Sequence, residues 1–262
     1  MELNVMVYLM TGFLDSGKTQ FLKFTLGQDY FQIDGKTLLI LCEEGEEEYN
    51  PMEMLKYGVV IEKIEDQEDL TEEYLEELNR KHEPERVVVE YNGMWKVSDF
   101  ESMKLPDGWE IEQKLTTVDA STFQMYLTNL KPLFVEMVRG AELVLFNRCE
   151  DLKPLPGYRR SVKVVSPQAE VIFEDEEGEI ENIFEDDVPY DLKAPVIQIA
   201  REDYGIWYVD MMENPDRYKG KTVEFTAKVL KPRSFPSKVF LPGRMAMTCC
   251  ADETTFLGYV CR

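Results

Sequence analysis

Short apolar runs alternate with longer amphipathic stretches over the first two thirds of the chain. Val5–Met10, Thr37–Cys42, Arg86–Tyr91, Ile111–Val118 and Leu143–Asn147 are rich in Val, Ile and Leu and are bounded by Gly, Asn or acidic residues, as buried parallel strands are; Val162–Val165 is a weaker strand candidate. Between them lie helical patterns. Lys18–Leu26 carries Phe21, Leu22 and Phe24, Asp69–Lys81 sets Leu70, Tyr74, Leu75 and Leu78 on one face, and Thr122–Arg139 is long and apolar on one side. This alternation predicts an α/β architecture: a doubly wound, mainly parallel sheet with helices on its faces.

The pattern changes after Glu174–Asp187, where nine of 14 residues are acidic, the composition of a solvated hairpin or linker. Beyond it Thr222–Lys231, Lys238–Thr248 and Thr255–Cys261 alternate in strand fashion, punctuated by Pro189, Pro195, Pro232, Pro236 and Pro242. Two domains are expected, residues 1–188 and a small β-rich, barrel-like domain over 189–262. That domain is either closed by its last strand or continued in a longer natural chain. Tyr204, Trp207 and Tyr208 fall at helical spacing and suit an interdomain packing stripe better than a ligand cage.

Charge narrows the choice of partner. The 262 residues include 29 Lys or Arg, 51 Asp or Glu and one His, a net charge of −22, while 44% hydrophobic content is enough for a core. Such acidity argues against nucleic acid as the main partner, since phosphate binding needs clustered Lys and Arg, and against docking on anionic lipid. No apolar run approaches the roughly 20 residues of a membrane-spanning helix. The N-terminus lacks the basic region and cleavage site of a secretory signal, so the expected location is the cytoplasm. The five cysteines, Cys42, Cys149, Cys249, Cys250 and Cys261, are not a secreted disulfide framework. His82 is the sole imidazole and suits the C-terminal end of a charged helix, so a metal site would need thiolates and carboxylates.

The sharpest chemistry is Gly12–Thr19, GFLDSGKT, between the first strand and the first helix. It fits G-x-x-x-x-G-K-[ST] in the setting that motif requires. Backbone N–H groups of such a loop turn inward around a β-phosphate, helped by the positive end of the following helix. Lys18 bridges β- and γ-phosphate oxygens and Thr19 offers its hydroxyl to Mg²⁺. A nucleotide is the expected ligand.

The flanking residues TGFLDSGKTQFLKF resemble the CobW branch of the CobW/HypB/UreG GTPases, whose loop typically reads TGFLGSGKTT. Four further segments are similar to that family in the same order. LLILCEEGEEEYN sets Glu43, Glu44 and Gly45 on its E-F-G, VVVEYNGMW sets Glu90 and Gly93 on its Walker B region, TTVDASTF matches its VVDA turn, and AELVLFNRCEDL matches its ADxxxxNKxDL segment. The similarity covers about residues 5–152.

The resemblance implies a Mg²⁺-dependent GTPase of slow turnover. Glu90 would hold Mg²⁺ through a water. Glu43 and Glu44 would lie in the first switch and touch Mg²⁺ or orient the attacking water, or else form a solvated loop. Gly93 would sense the γ-phosphate. Gly12, Asp15, Ser16, Gly17, Lys18, Thr19 and Gln20 would surround the phosphates. Asn147 would fix the loop and contact the base, Arg148 would stack in place of the family's Lys, and Glu150 would replace its Asp, with the preference for guanine surviving in weakened form.

One family feature is missing. CobW-like proteins carry a Cys-x-Cys-Cys motif between the switches, yet no Cys lies between Cys42 and Cys149. Thiols reappear at Cys249, Cys250 and Cys261, beside Asp252 and Glu253, where a transition metal such as Zn²⁺ or Co²⁺ would find ligands unless they are buried small hydrophobes. The run Gly243–Cys261 resembles the end of a domain of unknown function attached to proteins encoded with metal-related permeases. The expected role is metal trafficking or regulation of a metal-linked partner. The rival readings are a P-loop ATPase or small-molecule kinase, and a non-catalytic nucleotide-binding regulator of a membrane complex.

Overall fold

A computed structural model of the chain describes residues 4–150, 155–180, 188–247 and 254–262. The described residues fall into two units, the first within Met1–Lys153 and Gln168–Glu181 and the second within Pro154–Pro167 and Asn182–Arg262.

The first unit is built on one eight-stranded sheet. Its strands are β1 (Val5–Thr11), β2 (Thr37–Leu41), β3 (Val59–Lys63), β4 (Arg86–Glu90), β5 (Trp109–Asp119), β6 (Leu143–Asn147), β7 (Glu170–Asp175) and β8 (Gly178–Glu179). They lie in the order β3-β2-β4-β1-β5-β6-β7-β8, all parallel except β8, which turns back on β7. β2 and β4 are buried at all five positions, which is why they read as unbroken apolar runs. Helices α1 (Lys18–Leu26), α2 (Pro51–Met54), α3 (Glu72–His82), α4 (Val97–Glu101), α5 (Phe123–Asn129) and α6 (Lys131–Val138) connect the strands. Leu22 and Leu26 of α1 join Met10, Leu39 and Val88 in one core cluster. Parallel register brings the carboxyl ends of the strands together, Met10 and Leu41 each beside Glu90 and Asp119 beside Asn147. Ligand sites of open parallel sheets sit at that end.

Three local expectations change. Val162–Val165 is not a strand: α7 (Leu155–Lys163) runs through its start, with Leu155, Tyr158 and Val162 buried at helical spacing. The sheet continues instead through β7, whose end runs into the acidic stretch, and its turn into β8 makes the expected hairpin. The helix over Thr122–Arg139 breaks at Leu130, because Pro132 occupies the first turn of α6 and cannot continue α5. β3 was not expected; it is short, half buried and mixed with charge, and it follows Gly58 at φ 69°.

In the second unit β9 (Val196–Gln198) pairs in parallel with β10 (Thr222–Glu224), and β11 (Lys228–Leu230), β12 (Leu241–Met247) and β13 (Thr254–Gly258) form an antiparallel sheet. α8 (Tyr204–Glu213) carries Tyr204 and Trp207 into this unit's own core, beside Ile197, Tyr218 and Leu257, rather than into an interdomain stripe. Among the described residues no helix is long and apolar enough to cross a membrane.

Candidate functional site

The loop Gly12–Thr19 leaves β1 and enters α1 at the carboxyl end of the sheet. Gly17 is the N-cap of α1 at φ 93°, a left-handed conformation that only glycine adopts freely, and a side chain there would also run into the Asn147 amide. No side chain caps α1, so its first N–H groups face the loop. Asp15, where the family loop has Gly, also sits at positive φ (56°), which Asp tolerates better than most residues.

Lys18 is 4% exposed and crosses its own loop: Nζ donates to the carbonyls of Gly12 and Phe13, both at 2.9 Å, and to Glu43 Oε2 at 2.6 Å. The other oxygen of Glu43 accepts from the Gly93 backbone N–H at 3.3 Å. Gly93 packs against the loop so closely that a Cβ would lie 2.5 Å from the Gly12 carbonyl. Thr19 Oγ1 donates to Glu90 Oε1 at 2.7 Å, and the Tyr49 hydroxyl donates to Glu90 Oε2 at 2.5 Å. Burial first, then the Glu43 charge, push the Glu90 carboxyl above its usual range against the opposing pull of Tyr49, Thr19 and Lys18. Cys42 lies beside these carboxylates, and burial followed by the charges of Glu90 and Glu43 drives its thiol far up, so it is neutral.

The loop after β2 is tied down at several points. Besides Glu43 and Tyr49, the Glu46 N–H donates to Asp15 Oδ1 at 3.0 Å and Lys23 pairs with Glu47 at 3.0 Å. On the far side, Asn147 Nδ2 donates to the Ser16 carbonyl at 2.8 Å, while its Oδ1 is buried with no donor among the described residues. Ser16 Oγ shares a hydrogen bond with Thr117. Arg148, at φ 54°, donates from Nη1 to the Asp15 carbonyl at 2.8 Å and to Asp119 Oδ2 at 2.5 Å. Burial works to raise the Asp119 carboxyl, but hydrogen bonds from Ser121 and Arg148 hold it below the ordinary carboxylate range.

A cavity of about 150 Å³ results, lined by Asp15, Gly17, Lys18, Thr19, Gln20, Glu43, Glu90 and Arg148 among others. Gly12 and Gly93 bond the wall residues Lys18 and Glu43, Asn147 lies against Gly17, and Ser16 stands behind the wall, bonded to Asn147 and Thr117. Glu44 is placed elsewhere, exposed and paired with Lys63. Glu150 is exposed and does not line the cavity. Arg148, expected against a base, is engaged with the loop and Asp119. His82 pairs with Glu62 at 2.6 Å, at the end of α3. Cys249, Cys250, Asp252 and Glu253 lie outside the described residues. Cys261 exchanges backbone hydrogen bonds with Phe240, and no group of three or more metal-binding side chains occurs among the described residues. Tyr49 and Asp119 were not singled out from sequence. Tyr49 ends the family-like segment LLILCEEGEEEYN, whose matched positions are Glu43, Glu44 and Gly45 and give no role to Tyr49, whereas the VVDA-like turn did mark Asp119's position.

The Thr19 hydroxyl and the Glu90 carboxylate are hard oxygen groups set side by side at the helix N-terminus, a donor set that fits Mg²⁺.

Comparison with known proteins agrees with this geometry. The family model for the CobW/HypB/UreG nucleotide-binding domain matches residues 6–173, and that for the DUF1980 C-terminal domain matches residues 176–262. No curated protein matches. Similar solved structures include the Zn(II)-bound YjiA GTPase from E. coli (22% identity, TM-score 0.49, covering 68% of this chain) and the hydrogenase maturation factor HypB from Archaeoglobus fulgidus (16% identity, TM-score 0.49). The HypB alignment covers 67% of this chain and 84% of HypB; the chain spans 59% of the YjiA chain. Matched over more than half its length, with the loop, Glu90 and the Asn147 segment gathered at one end of a parallel sheet, the chain belongs to the CobW/HypB/UreG family and carries that family's nucleotide-binding domain.

Proposed function

We propose that this protein is a Mg²⁺-dependent GTPase whose first switch is the 43–49 loop. One observation carries the reading. The Lys18 ammonium and the Gly93 N–H, donors from opposite sides of the loop, converge on the single carboxylate of Glu43. An anion is therefore already wanted at that point, and a γ-phosphate would take the same two donors. Nucleotide binding then frees Glu43 from Lys18 and leaves its carboxylate beside the phosphate, placed to orient water. Thr19 and Glu90 would hold Mg²⁺, which would supply charge neutralisation on the phosphates. Tyr49 must release Glu90 for that contact, so the loop and the metal ligand move together. Asn147 Oδ1 supplies an acceptor for a purine N–H at the base end.

The cytoplasm is the expected setting, and metal trafficking, or control of a metal-linked partner such as a permease complex, is the expected role. The DUF1980 C-terminal domain match and the thiols Cys249, Cys250 and Cys261 support it. Zn²⁺ or Co²⁺ would be cargo. Hydrolysis of GTP measured with and without Mg²⁺, in competition with ATP, tests the enzyme: GTP turnover little affected by ATP is expected, and a preference for ATP ends the GTPase reading. Hydrolysis with and without Zn²⁺ or Co²⁺, on the native chain and on Cys249→Ser/Cys250→Ser, tests the cargo. If metal neither binds nor alters the rate, the trafficking role falls.

A further inference from the structure

A second cavity, of about 550 Å³, lies on the other side of the 43–49 loop. Leu55, Val59 and Ile61 give it an apolar floor, and Glu44, Glu47 and Glu48 stand on its rim. All five residues of β3 line it, and β3 is an edge strand, with β2 on one side and, among the described residues, no strand on the other. Leu55 is 55% exposed, an apolar side chain left uncovered at this groove.

From this groove we propose that β3 docks an extended basic segment of a partner protein, which adds as a strand to the sheet edge. An edge strand offers a row of main-chain donors and acceptors, which give such a complex its affinity. Side chains of an added strand alternate, so apolar residues would face the floor and Lys or Arg the rim. The rim chooses the sign. Glu48 has no ion-pair partner among the described residues, whereas Glu44 and Glu47 hold Lys63 and Lys23, and Glu62 holds Lys81 and His82. The local field is negative: the hydrogen bond Lys63 donates to Glu44, then the charges of Glu44, Glu48 and Glu65, hold the Lys63 ammonium above its usual range. A chain of net charge −22 repels an acidic segment there. Because the rim is the loop that holds Lys18 through Glu43 and Glu90 through Tyr49, docking is coupled to the nucleotide. That coupling rests on the function proposed above; the docking does not.

Fluorescence anisotropy on the full chain at physiological salt tests both. The probe is a short fluorescein-labelled peptide of alternating Lys and Val. Its comparators are the same peptide with Glu for Lys, and one with alternate backbone amides methylated. Binding of the Lys–Val peptide is expected, weakened about tenfold by methylation, about tenfold by Leu55→Asp and severalfold by Glu48→Lys. Both substitutions are at exposed sites, and unchanged melting confirms intact folding. Equal binding of the methylated peptide, or indifference to Leu55→Asp in a folded variant, overturns strand addition and leaves only charge adhesion. GTP with Mg²⁺ is expected to change the peptide affinity at least severalfold. A chain that binds GTP without such a change loses the coupling, whereas a chain that binds peptide but no GTP loses the nucleotide reading and keeps the docking.

Discussion

The phosphate end of the first unit and the core of the second both bury polar atoms, but to different ends. Around the loop the buried groups are charged and face a cavity: Lys18, Glu43 and Glu90, the last only 2% exposed. In the second unit's aromatic core cluster they are phenol hydroxyls turned inward. Tyr190 and Tyr218 share a hydrogen bond at 2.8 Å, and Tyr204 donates to the Leu257 carbonyl at 3.0 Å. Burial pushes the Tyr190 and Tyr204 phenols up to about 12, and the Tyr218 hydroxyl beside Tyr190 donates in turn to the Asp210 carboxylate, yet neither Tyr190 nor Tyr204 lines the cavity formed by Arg159, Asp210, Glu213 and Arg217. A perturbed group therefore marks a site only when its partners converge on open space. Burying charge is a cost that function explains; burying a bonded phenol is packing.

The comparison breaks first at Lys18. Lys18→Ala removes the central phosphate donor and is expected to lower GTP hydrolysis by about 10³-fold, about 4 kcal/mol of barrier. It also strands the buried Glu43 carboxylate, at a cost of about 3–5 kcal/mol in stability. The double variant Lys18→Ala/Glu43→Ala should regain most of the stability in thermal melts and none of the hydrolysis. If it regains neither, the pair is not the electrostatic unit described. In the second unit the equivalent blow is Trp207→Ala. Trp207 is 3% exposed and packs with Phe225 at 4.7 Å and Tyr204 at 5.3 Å between ring centroids. Its loss is expected to cost about 3–5 kcal/mol by denaturant titration. A loss under about 1 kcal/mol would mean that this cluster is not a core.

These two regions were unequally legible. The loop announced itself because its chemistry is backbone geometry: Gly17 and Lys18 at fixed spacing after an apolar strand leave little else for the chain to be. Buried parallel strands such as β2 and β4 were plain for the same reason. Contacts that depend on a side chain reaching across space were not readable. Nothing around Tyr49 shows that its hydroxyl ends on Glu90, 41 residues away in sequence. Glu43 and Glu44 are equal in the sequence, and only the fold turns one to Lys18 and the other to Lys63. In the second unit the helical spacing of Tyr204, Trp207 and Tyr208 was readable but not the core these residues enter, and in the first unit β7 was masked by its acidity.

A subtler test uses Glu90. Its carboxyl is held above the usual range chiefly by burial, so the folded chain favours the protonated form. The sign follows: its contribution to stability is complete in acid and is lost as pH rises through the folded value, which leaves ionised Glu90 a burden at neutral pH. Glu90→Gln removes that charge while keeping partners for Thr19 and Tyr49. The variant should melt a few degrees higher at neutral pH, with the gap closing in acid, and should lose hydrolysis. A variant that melts lower at neutral pH would show that the Thr19 and Tyr49 bonds outweigh the desolvation.

The smallest effect sits at the rim of the same site, where charge is half in water and the contrast with the second unit should fade. Asp119 joins Arg148 at 2.5 Å, and Arg148 in turn holds the Asp15 carbonyl. The Asp119 carboxyl is held low, although burial opposes it, so its contribution to stability is present above the ordinary carboxylate range and is lost as pH falls through the folded value. Arg148 is 47% exposed along its side chain, so solvent screens the pair and Asp119→Asn should cost less than about 1 kcal/mol. Melts across acid pH should show the native chain and the variant converging as Asp119 protonates. GTP affinity should weaken only severalfold, because Arg148 keeps its bond to the loop. A loss as large as that of Lys18→Ala would place Asp119 in direct contact with the nucleotide, and Arg148 would then be its support rather than the loop's.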